Sequence, residues 1–327
     1  MPLVSILATG GTVASRADGS GGATAQDGGE DLVARLAVPG VQLRVRDVLR
    51  IGSFRMTLDR VSLLARAVAE ELSDPDVAGV VVTHGTDTTE ETAFFLDLFH
   101  DDARPVVLTG AQRPADAADT DGPRNVGDAV TVAADPNARG LGVLVAFGGQ
   151  VFPARGTRKA HTLAADAFTN PYGGALGWVH EGRAGVVTAP RRGPALDLST
   201  FDLTGVRVDV AVCHPDADGT ALRAFAGAGA RGVVLEATGA GNANPEICAS
   251  VRELTTAGIV VVTSTRVAAG PVAALYGDGG GVDLEKAGAL PSGLLRPSQA
   301  RMLLAALLGV HRDPHAVRRA FAEAVRG

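Results

Sequence analysis

Short apolar runs alternate with stretches of helical periodicity along most of the chain. In the first half, helices are predicted over 57–72, 88–100 and 122–134. Short continuous apolar strands between helices are typical of a parallel sheet covered on both faces. The runs that predict these strands lie at 3–8, 41–51, 79–82, 105–109 and 140–146.

The pattern changes after residue 146 and then resumes. Glycine and turn residues are frequent over 147–188, which predicts hairpins and loops, and a proline- and arginine-containing segment at 190–207 is interpreted as a linker. We therefore predict an α/β protein with two parallel-sheet domains, a larger one over 1–189 and a smaller one over 208–327. The elements predicted after the linker are strands at 206–213, 232–236 and 259–263 and helices at 220–227, 243–257, 298–308 and 314–325.

Charge and hydropathy narrow the class of partner. The 327 residues carry a formal net charge of −6 without a dense Lys/Arg run, which argues against a nucleic-acid partner. The N-terminal apolar run has no basic residues before it and leads into a glycine turn, so it is interpreted as a strand and not as a signal peptide. The longest other apolar run, 302–310, is too short to span a bilayer. We expect no membrane partner and a cytoplasmic location.

The two cysteines, Cys213 and Cys248, do not form a CxxC motif. Free, buried thiols are the favoured interpretation in a chain of this size, and a single bridge stays open as the alternative. No ligand cluster is apparent, so neither a metal nor an organic cofactor is expected.

Two tight turns at predicted strand ends carry threonines. Thr12 follows Gly10-Gly11, and Thr86 follows His84-Gly85. A hydroxyl nucleophile needs a proton acceptor, an oxyanion donor and backbone that approaches the substrate closely, and glycine permits that approach. Because ligands of parallel sheets bind beyond the C-terminal strand ends, both turns and Gly110-Ala111 could converge on one crevice.

Simpler interpretations exist for both turns. The first could be structural or could bind a nucleotide, although it matches neither G-x-G-x-x-G nor the P-loop pattern. The second could be a helix N-terminus, and Thr88 with Glu91 fits the capping-box pattern. His84 is interpreted as a core residue and is given no catalytic role.

Lys159 is unusual in this composition. The chain has only two lysines, Lys159 and Lys286, whereas arginine supplies its other basic side chains. A lysine ammonium can lose its proton when buried, whereas a guanidinium stays charged, so Lys159 is a candidate for proton transfer.

These segments together resemble the bacterial-type L-asparaginase and glutaminase–asparaginase family. The matches cover almost the whole chain in the expected order. They comprise Ala8–Ala14, Thr83–Thr88, Ile51-Gly52-Ser53, Glu90–Leu96, Leu108–Pro114, Asp121-Gly122-Pro123, Gly241–Asn244 and Arg266-Val267.

The resemblance implies a mechanism. Thr12 would attack the side-chain amide carbon to form an acyl-enzyme ester. Thr86, Asp87 and Lys159 would form a second catalytic group that relays protons and prepares water. The family's fold also implies a larger, flavodoxin-like N-terminal domain and a homodimer or homotetramer whose active sites lie between subunits.

The resemblance also implies the substrate contacts. Asp87 would pair with the substrate ammonium, and Ser53 would hold the α-carboxylate. Backbone N–H groups of Gly11 and Thr86 would stabilise the oxyanion, and the carbonyl of Ala111 would receive the amide nitrogen. Asn244 could reach the active site of a neighbouring subunit.

The chain departs from the family pattern in two places. Many members carry a tyrosine on the mobile loop after the nucleophile, but the loop over 15–30 has no aromatic residue, and its nearest counterparts are Thr24 and Gln26. The glycines of this loop suit a lid. A carboxylate that the secreted branch contributes from the neighbouring subunit has no evident counterpart after Gly270, where Tyr276 is a possible substitute.

The sequence therefore predicts an amidohydrolase that converts L-asparagine to L-aspartate and ammonia. One alternative is a glutaminase–asparaginase of broader specificity or a relative that prefers D-asparagine. A non-catalytic amino-acid-binding protein and a tRNA-linked amidotransferase subunit are further alternatives, although the acidic net charge disfavours the last.

Overall fold

A computed structural model describes residues 1–19, 21–34, 36 and 38–326 of the chain. Its strands are β1 (Leu3–Gly10), β2 (Ser15–Ala17), β3 (Ala23–Ala25), β4 (Gln42–Ile51), β5 (Val77–Thr83), β6 (Val106–Thr109), β7 (Val143–Phe147), β8 (Gln150–Pro153), β9 (Arg158–Lys159), β10 (Phe168–Thr169), β11 (Gly177–His180), β12 (Arg183–Val186), β13 (Val208–Val212), β14 (Gly232–Ala237), β15 (Val260–Thr265) and β16 (Leu290–Pro291). Its α-helices are α1 (Gly29–Val33), α2 (Leu58–Ser73), α3 (Thr89–Phe99), α4 (Gly122–Ala134), α5 (Thr220–Gly227), α6 (Pro245–Thr256), α7 (Gly281–Lys286), α8 (Pro297–Val310) and α9 (Pro314–Arg326).

The first compact unit, Met1–Ala195, is built on an eight-stranded sheet in the order β12-β11-β8-β7-β6-β5-β1-β4. The five strands from β7 to β4 are parallel, whereas β8, β11 and β12 extend one edge as antiparallel hairpins. The hairpins come from the glycine-rich segment after residue 146, in agreement with its prediction. Strands β2 and β3 form a separate small hairpin, as do β9 and β10.

The second unit, Leu196–Gly327, contains a four-stranded parallel sheet in the order β13-β14-β15-β16. Helices α6 and α8 each begin with a proline, which has no N–H to leave unpaired in a first helical turn. Cys213 and Cys248 are free and buried, and burial raises the pKa of the Cys213 thiol to about 11. The two sheets confirm the predicted α/β fold class. Within the described residues, no helix combines the length and apolar character needed to cross a bilayer.

The structure corrects two details of the sequence interpretation. Thr88 precedes α3 but its side chain does not cap the helix; its hydroxyl instead donates to the backbone oxygen of Ser53 at 2.9 Å. The predicted capping box is therefore wrong, because a more distant acceptor takes the hydroxyl. Helix α7 and strand β16 were not predicted, since each is too short for periodicity to identify.

Close packing against the sheet restricts individual glycines. A Cβ on Gly79, in β5, would overlap the carbonyl oxygen of Ala133 at the end of α4 and would lie 3.0 Å from its carbonyl carbon. Gly127, inside α4, has open space at the same atom. Gly79 and Gly127 therefore form a matched pair, because a Cβ would meet backbone at the first position and open space at the second.

We expect opposite effects of alanine at these two positions. Gly79→Ala should lower the free energy of unfolding by about 1–3 kcal/mol, because two backbones must separate. Gly127→Ala should raise it by about 0.5–1 kcal/mol, because alanine loses less conformational entropy in a helix. Urea unfolding of both variants measures the difference in the free energy of unfolding. Equal effects of the two substitutions would show that β5 and α4 can separate at Gly79 without loss of stability.

Candidate active site

Two glycine backbones meet where β1 and β5 end. Gly10 and Gly11 have φ angles of +97° and +78°, which favour glycine. A Cβ on Gly11 would lie 2.5 Å from the Cα of Gly85, and one on Gly10 would lie 2.6 Å from the backbone N of Ile51. Only glycine allows the two turns to approach so closely, and each turn continues directly into its threonine.

The touching turns form the floor of a cleft with a cavity volume of about 290 Å³. Its lining brings together five of the predicted site residues, Gly11, Thr12, Ser53, Thr86 and Asp87. The predicted convergence of the two threonine turns on one crevice is thus present in the fold. The other lining residues are Ser15, Ala23, Thr24, Ala25, Arg50, Ile51, Gly52, Phe54, Arg55 and Gly85.

Thr12 begins a short 3₁₀ helix, Thr12–Ala14, at this cleft. Within the described residues, its hydroxyl forms no hydrogen bond, and neither its backbone N–H nor that of Thr86 has a hydrogen-bond acceptor. Both N–H groups belong to first helical turns, which leave such donors unpaired. The cleft therefore offers one unengaged hydroxyl and two backbone donors for a developing negative charge.

Gly11 needs a correction. The resemblance implied that its N–H stabilises the oxyanion, but this N–H donates to the backbone oxygen of Ile51 at 2.9 Å. The hydrogen bond links β1 to the end of β4 and leaves the donor engaged. Gly11 still lines the cleft beside Thr12.

Thr86, Asp87 and Lys159 lie in direct contact. The Lys159 Nζ atom donates to Thr86 Oγ1 at 2.8 Å and to Asp87 Oδ1 at 2.9 Å. Thr86 is buried, whereas the Asp87 side chain is 56% exposed and the Lys159 side chain 16% exposed. The ammonium thus bridges a buried hydroxyl and a carboxylate that faces the open part of the cleft.

The loop that carries Lys159 is fixed by two further contacts. Its backbone N–H donates to Glu90 Oε2 at 2.8 Å, and β9 pairs Lys159 with Phe168 of β10. Glu90 lies in the first turn of α3, where a carboxylate also interacts favourably with the helix dipole. The start of α3 therefore holds both partners of the ion pair.

Sequence reasoning missed the role of Gln112. Its Oε1 atom accepts a hydrogen bond from Thr86 Oγ1 at 3.0 Å. The residue lies in the matched segment Leu108–Pro114, so its place in the pattern was visible, but a pattern does not say where an amide points. Glu90 was quoted in the same way without a role.

Ser53 is buried beside the second glycine turn. A Cβ on Gly85 would lie 2.6 Å from Ser53 Oγ, and Thr88 donates to the Ser53 backbone oxygen. The serine predicted to hold a carboxylate is thus attached to the turn that carries Thr86 and Asp87.

The β2–β3 hairpin occupies the position of the predicted lid. Arg16 pairs with the buried Asp27 through two bonds of 2.5 and 3.0 Å, and Gln26 Nε2 donates to Thr24 Oγ1 at 3.2 Å. Thr24 lines the cleft, whereas Gln26 does not. Ser20, which belongs to the segment predicted as a lid, lies outside the described residues.

Lys159 is not among the described residues that line the cleft, and neither are three other predicted residues. Ala111 is fully buried. Asn244 belongs to the second unit, where its Oδ1 caps α6 by accepting from Ile247 N at 2.9 Å and its Nδ2 donates to Ala217 O at 2.7 Å. Tyr276, also in the second unit, is 61% exposed. Their contacts with substrate stay predictions.

His84 is a buried structural residue, as expected. Its Nδ1 lies 2.7 Å from the backbone oxygen of Gly85 and its Nε2 lies 3.1 Å from Thr92 Oγ1. The carbonyl can only accept, so Nδ1 carries the proton and Nε2 accepts from the threonine. Burial lowers the pKa of His84 to about 4.

This pKa predicts a pH-dependent contribution to stability. The unfolded imidazole takes up a proton below its ordinary pKa of 6.5, whereas the folded one stays neutral to about pH 4. The free energy of unfolding should therefore fall as pH decreases from 6.5 to 4, by up to roughly 3 kcal/mol. Urea unfolding at several pH values should show this slope in the wild type and a shallower one in His84→Gln. His315→Gln, which removes an exposed imidazole, is the control; an unchanged slope in His84→Gln would contradict the prediction.

The described residues contain no group of three or more His, Cys, Asp or Glu side chains that could hold a metal ion.

Comparisons with known proteins give a consistent result. A model of the N-terminal asparaginase domain matches residues 3–192, and one of the glutaminase/asparaginase C-terminal domain matches residues 207–321. The probable L-asparaginase of Deinococcus radiodurans is 37% identical, over 99% of this chain and 98% of its own. A glutaminase-asparaginase of Pseudomonas fluorescens is 35% identical, over 82% of this chain and 76% of its own.

A solved structure agrees with the sequence relatives. The crystal structure of a probable cytoplasmic L-asparaginase from Campylobacter jejuni has a TM-score of 0.86 and 33% identity, and the match covers 98% of this chain and 99% of that one. With both domain models matched in order over nearly the full length, the chain belongs to the asparaginase family.

Proposed function

We propose that this protein hydrolyses L-asparagine to L-aspartate and ammonia through a threonine acyl-enzyme. The observation that carries the proposal is the cleft lined by Thr12 on one turn and by Thr86 and Asp87 on the other, with Lys159 bonded to both Thr86 and Asp87. The relatives named as L-asparaginases support the same reaction.

The lining suits a small zwitterion. Asp87 would attract the substrate ammonium, and the Ser53 hydroxyl would donate to the α-carboxylate. Two arginines, Arg50 and Arg55, also line the cleft and add positive potential for an anionic group. The carboxamide would then extend toward Thr12.

The acylation step uses the unengaged hydroxyl. Thr12 Oγ1 forms a bond to the amide carbon while the N–H groups of Thr12 and Thr86 stabilise the oxyanion. The C–N bond breaks, and the leaving nitrogen receives the proton that Thr12 gives up, so that ammonia departs. Water then adds to the ester, and its proton returns to Thr12 as aspartate is released.

Thr86 and Lys159 would handle protons in the second step. Water that attacks the ester must lose a proton, and Thr86 Oγ1 faces the same cleft as the ester. Lys159 can receive that proton only in its uncharged form, because an ammonium has no lone pair. The pair with Asp87 would then hold the resulting positive charge.

The substrate range is a separate part of the proposal. A relative named glutaminase-asparaginase motivates a test of glutamine beside asparagine. Competition at equal concentrations of L-asparagine, L-glutamine and D-asparagine, with product analysis, would rank the substrates. A clear preference for glutamine would replace the proposed reaction by the broader alternative.

The proposal extends to the oligomeric state, the domain boundaries and the cellular location of the protein. We propose a homodimer or homotetramer in which active sites include residues of a neighbouring subunit, with Asn244 as a candidate. We retain domains at 1–189 and 208–327 with a linker at 190–207. A cytoplasmic location is supported by the name of the Campylobacter jejuni protein, whereas a Haemophilus influenzae relative is named periplasmic.

Removal of either cleft hydroxyl should abolish most of the activity. Thr12→Ala and Thr86→Val should each lower kcat for ammonia release from asparagine by about 10³-fold or more, because the nucleophile or its proton partner is lost. The control is Thr131→Val, which removes a hydroxyl bonded to Gly127 O within α4. Wild-type rates in both cleft variants would refute the proposal.

Calorimetry distinguishes the non-catalytic alternative. The substitution of the family's loop tyrosine motivates it, because that tyrosine contacts the nucleophile in many members. Binding of aspartate by the wild-type protein without turnover of any of the three amides would favour an amino-acid-binding protein over the enzyme.

A further inference from the structure

Gln112 contacts both Thr86 and the segment that follows Lys159. Its Oε1 atom lies 3.0 Å from Thr86 Oγ1, and its Nε2 atom lies 3.0 Å from Ala164 O and 3.3 Å from Thr162 O. One amide therefore joins the buried hydroxyl to the loop that carries the lysine.

The surroundings fix which way this amide points. Two backbone carbonyl oxygens face one end of it, and a carbonyl can only accept a hydrogen bond. That end must be the NH₂ group, because the flipped amide would place three oxygens together. The oxygen of Gln112 consequently faces Thr86, and the Thr86 hydroxyl must be the donor.

This orientation gives the hydrogen bonds of the site a direction. Lys159 Nζ donates to Thr86 Oγ1, and the Thr86 hydroxyl donates to Gln112 Oε1. Thr86 Oγ1 has two lone pairs, so one remains after the bond from Lys159. In this arrangement Thr86 can accept a hydrogen bond from the cleft but cannot donate one to it.

Gln112 is itself held in place by a carboxylate. Its backbone N–H donates to both oxygens of Asp121, at 3.0 and 3.1 Å, and the same carboxylate accepts from Asn125 Nδ2 at 3.1 Å. Asn125 is buried in α4, so the support extends from a rigid helix to the amide. Such a chain of contacts can hold a hydroxyl in one rotamer.

We propose that Gln112 is a positioning residue that orients the Thr86 hydroxyl so that the remaining lone pair of Oγ1 can accept a proton from the attacking water. This proposal rests on the proposed amide hydrolysis. When Thr86 Oγ1 accepts a proton from water, its own proton must leave, and Lys159 is the basic acceptor. The hydroxyl has to turn from Gln112 to Lys159 for that transfer, so Gln112 sets the direction of the relay.

Two substitutions separate the parts of this role. Gln112→Met keeps the length of the side chain and removes the acceptor and the donors, whereas Gln112→Glu keeps an acceptor for Thr86 and loses the donors. The control is Gln150→Met, at an exposed position of β8. Thermal unfolding of each variant monitors the fold.

The expected result is a change in rate and in pH profile. In Gln112→Met, kcat should fall on the order of tenfold with KM changed less than twofold, because Thr86 Oγ1 is no longer held in the orientation that accepts from water. The acid limb of its kcat profile should move to lower pH, since the released hydroxyl donates to Lys159 and favours the uncharged amine. In Gln112→Glu the limb should move to higher pH, because the carboxylate favours the ammonium.

A purely structural role predicts something different. If Gln112 only fastens residues 162–164, both variants lose the donors equally and should lose the same activity, and the acid limb of Gln112→Met should not move. That result would overturn the proposal, as would wild-type kcat in Gln112→Met.

A second measurement does not depend on turnover. With ¹³C at the lysine ε-carbon, the protein should give two signals, one for Lys159 and one for the exposed Lys286. The pH midpoint of the Lys159 signal should move downward in Gln112→Met and upward in Gln112→Glu, while that of Lys286 stays constant. Identical Lys159 midpoints in all three proteins would refute the role of Gln112, whether or not the wild type hydrolyses an amide. A wild-type protein that hydrolyses none of the amides would refute the proposed function instead.

Discussion

The contact between the backbones of Gly11 and Gly85 is the constraint on which the site depends. It lets two parallel strands end so close together that the residue after each glycine reaches the same cleft. A side chain at Gly11 would require the turns to separate, and its φ of +78° with ψ near 180° lies in a region that is essentially limited to glycine. The approach of the two threonines to one cleft thus depends on the packing of two glycine backbones.

Beside this contact, charged and polar side chains form a hydrogen-bond network. Lys159 is held by Thr86, Asp87 and, through its backbone, Glu90. Gln112 adds an oriented amide behind Thr86. Each hydrogen bond in this network has an assigned donor and acceptor, and proton transfer between side chains requires such defined directions.

The sequence predicted the elements that recur with strong periodicity and missed those set by tertiary contacts. The buried strands and long helices such as α2 and α4 lie close to their predicted bounds, since a continuous apolar run or a 3.6-residue repeat identifies them. Thr88 looked like a capping residue because local pattern cannot see that the Ser53 carbonyl competes for its hydroxyl. In the same way, the hydrogen bonds of the Gly11 N–H and of the Gln112 amide could not be inferred from the sequence. The first is made to Ile51 and the second to Ala164, which are distant along the chain.

The bond from Thr88 to Ser53 joins the group proposed for substrate recognition to the helix start that carries Thr86 and Asp87. A shift of Ser53 that admits a longer side chain would therefore also disturb the segment that carries Thr86 and Asp87. Adaptation to new amides is then easiest at the exposed rim, where the side chains of Phe54 and Arg55 are open to solvent. Natural variation in substrate choice within this architecture should concentrate there and leave the floor of the cleft unchanged.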